Sequence, residues 1–348
     1  MIAVSTLRGY LLEEVLAWLL RGSGYRLLDN AAQDPAELVE QNGALRVRGR
    51  GATHQVDVLG ELLFTPAFSL PVRLFLEAKF TTGRCGLEIV RNAHGVLYDV
   101  NQHHVPRAGS RRPERRFQYN YALFSTGGFT PDAQRYAIAH QISLIDLSGA
   151  NFAWLRDPIH TAATDLHAAA TAPEHGLGSF PVPWVRSMLR THLQTAEEPA
   201  HPDANPTFAE AARPCVRQLA GSLLEHADAQ LLLGFPAAPF ILALGSTDAG
   251  RFIRYANQRP THDVLIKRIG RGKASRWILS PAGEPSAYEL TFNLPPRIEA
   301  WIVENEEQRV DRARKIKSAM FSTMTIYGQF DGHERVYLLQ YTPSQLGQ

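Results

Sequence analysis

Two short β-forming segments, residues 48–60 and 72–80, constrain the fold of this chain more than any other feature. In both, β-branched and aromatic residues are interspersed with charged residues, and glycine or proline lies nearby. Because alternate side chains of a strand share a face, Glu77 and Lys79 are predicted to point the same way, with their apolar neighbours buried on the other face. A carboxylate and an ammonium group are therefore presented together.

If the two segments pair as a hairpin, Asp57 reaches the same edge of the sheet as Glu77. Two carboxylates and a backbone carbonyl such as that of Ala78 suit a hard divalent cation, Mg²⁺ with Mn²⁺ as a substitute. Such a cation activates water and polarises a phosphoryl oxygen. Lys79 would orient the water or stabilise negative charge in the transition state. The pattern predicts phosphodiester hydrolysis, and the alternative is ordinary surface charge on an edge strand.

Length and composition predict a soluble protein of two domains. The chain has 348 residues, 45% hydrophobic and 20% charged, which is ordinary for globular proteins. Its net charge of only +2 means that any attraction to nucleic acid is local. Cys85 and Cys215 are too few for a disulfide framework, which suits the cytoplasm. We expect no signal peptide and no membrane-spanning segment.

The helical spacing of apolar residues in 6–21 predicts an amphipathic helix that ends near Gly22 and Gly24. Glu13 and Glu14 lie about equally far from its apolar stripe, so the helical period does not choose between them. Either glutamate could also be a solvated side chain. Further elements predicted from the local pattern are a short helix over 34–40, a strand over 44–48, a helix over 87–100, a strand over 118–125, a helix capped by Thr130, and a strand over 142–147.

Two arginine-rich segments, residues 44–50 and 107–116, are candidate DNA contacts. In the first, alternate arginines share a predicted strand face, and Gly49 and Gly51 allow the backbone to approach a ligand closely. The second is a basic loop that would grip phosphates in a salt-dependent manner. A solvated basic surface is the alternative in both cases. The candidate DNA-binding residues are Arg46, Arg48, Arg50, Gln55, Arg111, Arg112, Arg115 and Arg116.

The helix glutamate, Asp57, Glu77-Ala78-Lys79 and the later segment 124–131, in this order, resemble the PD-(D/E)XK nuclease superfamily, and in particular the Mrr-like restriction endonucleases. The resemblance covers roughly residues 7–150. It implies an α/β fold, a restriction-endonuclease-like mixed sheet flanked by helices. It also implies a metal-dependent deoxyribonuclease that serves bacterial restriction or phage defence.

The resemblance assigns roles to individual residues. In the family, the helix glutamate lies eleven residues before the glycine of a Gly-Tyr pair, which selects Glu13 because the pair here is Gly24-Tyr25. Asp57 and Glu77 would be metal ligands, Lys79 would assist the attacking water, and Glu13 would be a further or indirect ligand. Many Mrr-like proteins have Gln-x-Lys, whereas this chain has the more widespread Glu-x-Lys form.

We therefore divide the chain into a nuclease domain (1–150), an Ala/Pro-rich linker with short helices (151–214), and a separate C-terminal α+β domain (215–348) for recognition or oligomerisation. In the last domain we predict a helix over 215–233, several strands, and a long helix over 295–320. Residues 270–273 lack the pattern of a phosphate-binding loop, so no nucleotide cofactor is expected. Double-strand cleavage would favour a homodimer. The alternative function is an inactive nuclease-fold protein that binds DNA or a protein partner.

Overall fold

In the computed structural model, the described residues are 2–65, 68–106, 113–172, 179–196, 204–225, 231–238, 240–246, 248–270, 276–294, 298–300, 302, 310–330 and 333–341. They form a mixed α/β structure with several sheets, the largest of which are a five-stranded sheet in the first half of the chain and a closed barrel in the second.

The described residues among the first 150 form three α-helices and two principal sheets. The helices are α1 (Val4–Gly22), α2 (Leu87–Asn101) and α3 (Pro131–Ala139). The strands are β1 (Tyr25–Leu27), β2 (Leu38–Gln41), β3 (Ala44–Arg48), β4 (Thr53–Gln55), β5 (Val58–Leu62), β6 (Val72–Lys79), β7 (Val105–Pro106), β8 (Pro113–Glu114), β9 (Gln118–Ser125) and β10 (Ile142–Asp146). The bounds of β3, β6, α2, β9, α3 and β10 agree closely with the prediction. The segment 48–60, predicted as one strand, instead contains β4 and β5, which belong to different sheets.

The five-stranded sheet has the order β1-β5-β6-β9-β10. Strands β1, β5 and β6 are antiparallel, whereas β6, β9 and β10 are parallel, so the sheet is mixed. Leu74, Leu76 and Ala78 of β6 are buried in one core cluster with α1, and Phe75 is buried in another with α2 and α3. The alternation predicted for this strand is confirmed, and it places helices on both faces of the sheet.

A separate three-stranded sheet has the order β2-β3-β4. The helix predicted over 34–40 is wrong, because a 3₁₀ turn at Ala31–Gln33 precedes strand β2. The Asn30 side chain caps that turn, and Gln33 returns a hydrogen bond to the Asn30 backbone. Leu38 is then buried opposite Val47 of β3. Burial of this leucine in the sheet overrides the local helical preference.

The described residues of the segment expected to be a linker, 151–214, contain helices α4 (Ala153–Thr171) and α5 (Val182–Leu193) and the start of α6 (Pro206–Leu224). Their apolar side chains are buried in the same cluster as α1. Alanine has the highest helix propensity, so the Ala-rich composition favours long helices as well as a linker. The predicted helix over 215–233 is wrong in its bounds. It starts earlier, because the Asn205 side chain caps the backbone of Thr207 and Phe208 and Pro206 occupies the first helical position. It ends at Leu224, and residues 231–233 belong to a strand.

The described residues of the C-terminal region form a closed barrel with the strand order β11-β12-β15-β14-β13-β17-β16. Its strands are β11 (Leu231–Pro236), β12 (Leu242–Ser246), β13 (Thr261–Ile269), β14 (Arg276–Pro281), β15 (Leu290–Phe292), β16 (Thr323–Phe330) and β17 (His333–Tyr341). Helices α7 (Ala249–Gln258) and α8 (Val310–Phe321) accompany them. The barrel and its helices share one apolar core. Strand β11 and helix α7 were not predicted. Residues 295–297, 301 and 303–309 of the predicted long helix lie outside the described residues.

Aromatic packing joins the barrel to the five-stranded sheet. The rings of Phe64 and Tyr327 stack with centroids 5.6 Å apart, and those of Tyr25 and Phe235 lie 6.3 Å apart. Gly24 has φ +80°, and a Cβ there would approach the Tyr327 Cβ to 2.9 Å. Glycine is therefore required at this contact for both its backbone conformation and its small size.

Across the described part of the chain, no helix has both the length and the apolar character needed to cross a membrane.

A buried ion network surrounds Arg73 at the start of β6. The Arg73 Nη2 atom lies 2.7 Å from Asp34 Oδ2 and 2.8 Å from Glu61 Oε2, with only 2% of its side chain exposed. Arg26 contacts the other oxygen of Glu61 at 3.0 Å, but its side chain is 48% exposed. One carboxylate therefore pairs with one buried and one exposed arginine.

We expect Arg73→Met to lower the free energy of unfolding by about 3–5 kcal/mol, because it removes the buried partner of the Asp34 and Glu61 carboxylates. The matched variant Arg26→Met should cost less than about 1 kcal/mol, because water screens an exposed pair. Urea unfolding of both variants measures the difference. Equal losses would contradict a structural role for the buried pair.

Candidate carboxylate site

Asp57 immediately precedes β5 and is tied directly to β6. The Ala78 N–H donates a hydrogen bond of 2.9 Å to Asp57 Oδ2. The antiparallel register places Val58 opposite Leu76, which brings Asp57 level with the end of β6. The predicted hairpin is therefore present, and it brings Asp57 next to the Glu77-Ala78-Lys79 segment.

Glu77 is held from two sides. Its Oε1 atom lies 2.6 Å from Lys79 Nζ, and its Oε2 atom accepts a hydrogen bond of 2.6 Å from the Tyr121 hydroxyl. The Tyr121 ring stacks on Phe75 at a centroid distance of 4.8 Å, which fixes the position of the hydroxyl. Glu77 and Lys79 lie on the same face of β6, and their side chains are 15% and 34% exposed. The ion pair is thus reachable from solvent while its carboxylate is mostly enclosed.

The charges of these groups act on one another. Burial raises the pKa of Asp57; the Ala78 hydrogen bond opposes this, the charge of Glu77 adds to it, and the net pKa is raised. Burial acts to lower the pKa of Lys79, but the hydrogen bond and charge of Glu77, with the charge of Asp57, outweigh it and the pKa is raised. Two carboxylates that repel each other and one firmly charged ammonium therefore share this edge of the sheet.

Glu13 of α1 lies close enough to Asp57 for their charges to interact. Burial raises the pKa of Glu13 to about 7; the charge of Arg186 lowers it, and the charges of Asp57 and Glu14 raise it. The Glu13 Oε2 atom lies 2.9 Å from Arg186 Nη2. The adjacent Glu14 is buried, with 1% of its side chain exposed, and pairs with both Arg186 and Arg190. Of the two glutamates that the helical period did not separate, Glu13 is the more accessible.

The donor set suits a hard cation better than a soft one, because it consists of carboxylate oxygens. Within the described residues, no group of three or more His, Cys, Asp or Glu side chains is arranged to hold a metal ion. Asp57 and Glu77 are the pair whose mutual repulsion a cation would relieve. Each keeps one contact that orients its carboxylate, from Ala78 and Tyr121 respectively. Glu13, held by Arg186, fits an indirect role.

The first arginine-rich segment makes contacts within the protein. Arg46 donates hydrogen bonds to the Thr53 side chain and backbone, at 3.2 and 3.0 Å. Strand β3 ends at Arg48, so Arg50 does not continue the predicted strand face. Arg48 is half-buried, whereas Arg50 and Gln55 are exposed.

The glycine loop that follows β3 is closed by a carboxylate of the protein itself. Asp99 accepts hydrogen bonds from the Gly51 and Ala52 N–H groups at 2.9 and 3.1 Å, and lies 2.7 Å from His54 Nε2. A Cβ at Gly49 would approach Asp99 Oδ2 to 2.0 Å. The close approach expected for an external ligand is thus made by Asp99.

The second arginine-rich segment is only partly described, and Arg111 and Arg112 lie outside the described residues. Arg115 contacts the Gln118 side chain. Arg116 Nη1 lies 2.8 Å from Asp34 Oδ1, so it belongs to the same ion network as Arg73. Residues 113–114 pair with residues 105–106 as a short ribbon, so part of the expected loop is regular structure.

The contacts of Arg186, Arg190 and Tyr121 with the glutamates were not predicted. Arg186 and Arg190 are four residues apart on α5, so their positions on one helix face could be read from the sequence. Their acidic partners on α1 are more than 170 residues away, and no local pattern links them. The sequence places Tyr121 in a strand. Its contact with Glu77 follows only from the parallel pairing of β9 with β6, which places Tyr121 opposite Phe75.

No protein-family model and no curated protein matches this sequence. A crystal structure described as a protein of unknown function is similar to this chain over 61% of this chain and 98% of that chain. The sequence identity is 15% and the TM-score is 0.34.

The raised pKa of Glu13 predicts a pH dependence of stability. Between about pH 4.5 and 7 the folded protein keeps a proton that the unfolded chain releases. This contribution to the free energy of unfolding is fully present below pH 4.5 and is lost as the pH rises through 7. With a chelator present, wild-type stability relative to Glu13→Gln should fall over this window by up to about 3 kcal/mol.

Urea unfolding at a series of pH values measures the effect. Glu88→Gln, which removes an exposed glutamate from the first turn of α2, is the matched control and should leave the pH dependence unchanged. A stability difference between wild type and Glu13→Gln that stays constant with pH would contradict the assignment.

Proposed function

We propose that this protein is a metal-dependent DNA endonuclease of the Mrr-like, restriction or phage-defence type. The observation that carries the proposal is the meeting of Asp57, Glu77 and Lys79 at one edge of the sheet. A mixed sheet with α1 on one face and α2 and α3 on the other supports a restriction-endonuclease-like core. The active site would therefore lie where β5 begins and β6 ends.

Asp57 and Glu77 would hold Mg²⁺ or Mn²⁺, with Glu13 as a further or indirect ligand. The bound ion would supply polarisation of a phosphoryl oxygen and a lowered pKa for a bound water. The protein contributes orientation, since the Ala78 N–H fixes the Asp57 carboxylate and the Tyr121 hydroxyl fixes Glu77. Contacts of this kind keep ligand oxygens in place before the ion arrives.

Lys79 supplies the cationic group of the site. Its ammonium is held at Glu77 and keeps its proton, because its pKa is raised. If Glu77 served as a metal ligand, the Lys79 ammonium would be available to hydrogen-bond the attacking water or a non-bridging phosphate oxygen. Negative charge that develops on the phosphoryl group in the transition state is stabilised by this fixed positive charge.

The proposed substrate is DNA in the cytoplasm. Arg48, Arg50 and Gln55 keep side chains at or near the surface and are the remaining described candidates for backbone contacts from the first arginine-rich segment. Cleavage of both strands would require a homodimer that presents two sites.

The proposal predicts that purified protein cleaves DNA with Mg²⁺ or Mn²⁺. Asp57→Asn, Glu77→Gln and Lys79→Ala should each lower kcat by at least roughly a hundredfold, because each removes a charge that acts on the reacting phosphate or its cation. Cleavage of plasmid and linear DNA, followed over time on gels, measures the effect.

Glu88→Gln is the matched control, because it neutralises a carboxylate on the surface of α2 and should retain wild-type cleavage. Circular dichroism of each variant shows whether the fold is intact. Undiminished cleavage by folded Asp57→Asn and Lys79→Ala would remove this site from the mechanism.

A second candidate function is an inactive nuclease-fold protein that binds DNA or a partner protein. It is favoured by the contacts that already satisfy the site, since Lys79 and Tyr121 occupy both oxygens of Glu77 and Arg186 occupies Glu13. Calorimetry with Mn²⁺ separates the two candidates. The nuclease proposal predicts binding that Asp57→Asn weakens, whereas absent cation binding together with DNA binding would favour the second candidate.

A further inference from the structure

Helix α5 reaches the carboxylate site from outside the segment that resembles a nuclease. Its Arg186 side chain contacts both glutamates of α1, with Nη2 at 2.9 Å from Glu13 Oε2 and Nε at 2.5 Å from Glu14 Oε1. The guanidinium also lies 5.6 Å from the centre of the Tyr10 ring. One side chain of α5 therefore bridges two neighbouring residues of α1 that differ greatly in exposure.

Glu14 provides the fixed end of this bridge. It is almost completely buried, and Arg190 donates to both of its oxygens, from Nε at 2.7 Å and from Nη2 at 2.9 Å. A bidentate arginine–carboxylate pair has a defined geometry. Glu14 is therefore held by Arg190 and presents an oriented oxygen to the Arg186 Nε atom.

We propose that Arg186 is a positioning residue of the carboxylate site, which holds the Glu13 carboxylate through Nη2 while Glu14 fixes its Nε. The inference rests on the proposed function, because Glu13 is placed there as a further or indirect ligand. It assigns α5, which lies outside the segment that resembles a nuclease, to the site and makes its Arg186 necessary for full activity. Arg190 acts one step further away, because it contacts Glu14.

The planar guanidinium is essential to this role. Arginine presents several N–H groups in a rigid fork, so it can hold two carboxylates in fixed relative positions. A lysine at position 186 would keep the positive charge, but a single nitrogen on a flexible chain does not reproduce that geometry. Loss of a group that orients a metal ligand typically costs about 10–100-fold in activity or metal affinity.

The test compares Arg186→Gln, Arg186→Lys and Arg190→Gln in the full chain, with DNA cleavage in Mn²⁺ as the assay. We expect both substitutions at Arg186 to lower kcat by about 10–100-fold with KM for DNA changed less than about twofold. Arg190→Gln loosens Glu14 and so acts on Arg186 only indirectly. It should lower the melting temperature and lower kcat less than either substitution at Arg186 does. Wild-type kcat in Arg186→Lys, or an equal loss in Arg190→Gln, would overturn the proposal.

Crystal structures of the same variants give a readout that does not need turnover. The Glu13 carboxylate should be displaced in Arg186→Gln and Arg186→Lys, and displaced less in Arg190→Gln. An unmoved Glu13 in Arg186→Gln would overturn the positioning role even if the wild-type enzyme is active. Absence of cleavage by the wild-type protein in Mg²⁺ and Mn²⁺ would instead refute the proposed function, and the position of Glu13 would still decide the role of Arg186.

Discussion

The hydrogen bond from the Ala78 N–H to the Asp57 carboxylate is the contact on which the candidate site depends. It joins the start of β5 to the end of β6, so that an acidic residue from one strand lies beside the Glu-x-Lys segment of the next. The alternation of side chains along β6 positions the other two charges. Burial of Leu76 and Ala78 against α1 leaves Glu77 and Lys79 on the opposite face. Strand geometry and one backbone hydrogen bond therefore determine where the charges meet.

Helix α1 links this edge to the remainder of the molecule. One side of the helix packs on the sheet and on α4, and its glutamates receive two arginines from α5. A site built in this way draws on Glu13, Asp57, Glu77 and Lys79 and also on Arg186, whereas the proposed resemblance to nucleases covers only roughly residues 7–150. Glu13, the more exposed of the two glutamates, lies close enough to Asp57 for their charges to interact. Glu14 is buried and pairs with Arg186 and Arg190.

Local chemistry in the sequence was sufficient to predict much of the first half of the chain. The Thr130 side chain caps α3 as expected, with Pro131 at the first helical position, and the strand over 118–125 has the predicted bounds. The strand faces of Glu77 and Lys79 followed from a period of two. These features depend on neighbours within a few residues, where propensity and periodicity apply.

Features set by distant partners could not be predicted in the same way. Asp99, which closes the Gly49–Gly51 loop, belongs to helix α2. Leu38 lies in a strand because it pairs with Val47 of the neighbouring strand. Arg186 reaches Glu13 only because α5 packs against α1.

Anomalous diffraction from a crystal soaked in Mn²⁺ tests the central claim most directly. The account predicts a peak within coordination distance of both the Asp57 and the Glu77 carboxylates, with the Lys79 ammonium displaced from Glu77. A fully occupied Mn²⁺ site elsewhere in the molecule, with the Lys79–Glu77 pair intact and no peak beside Asp57, would contradict it.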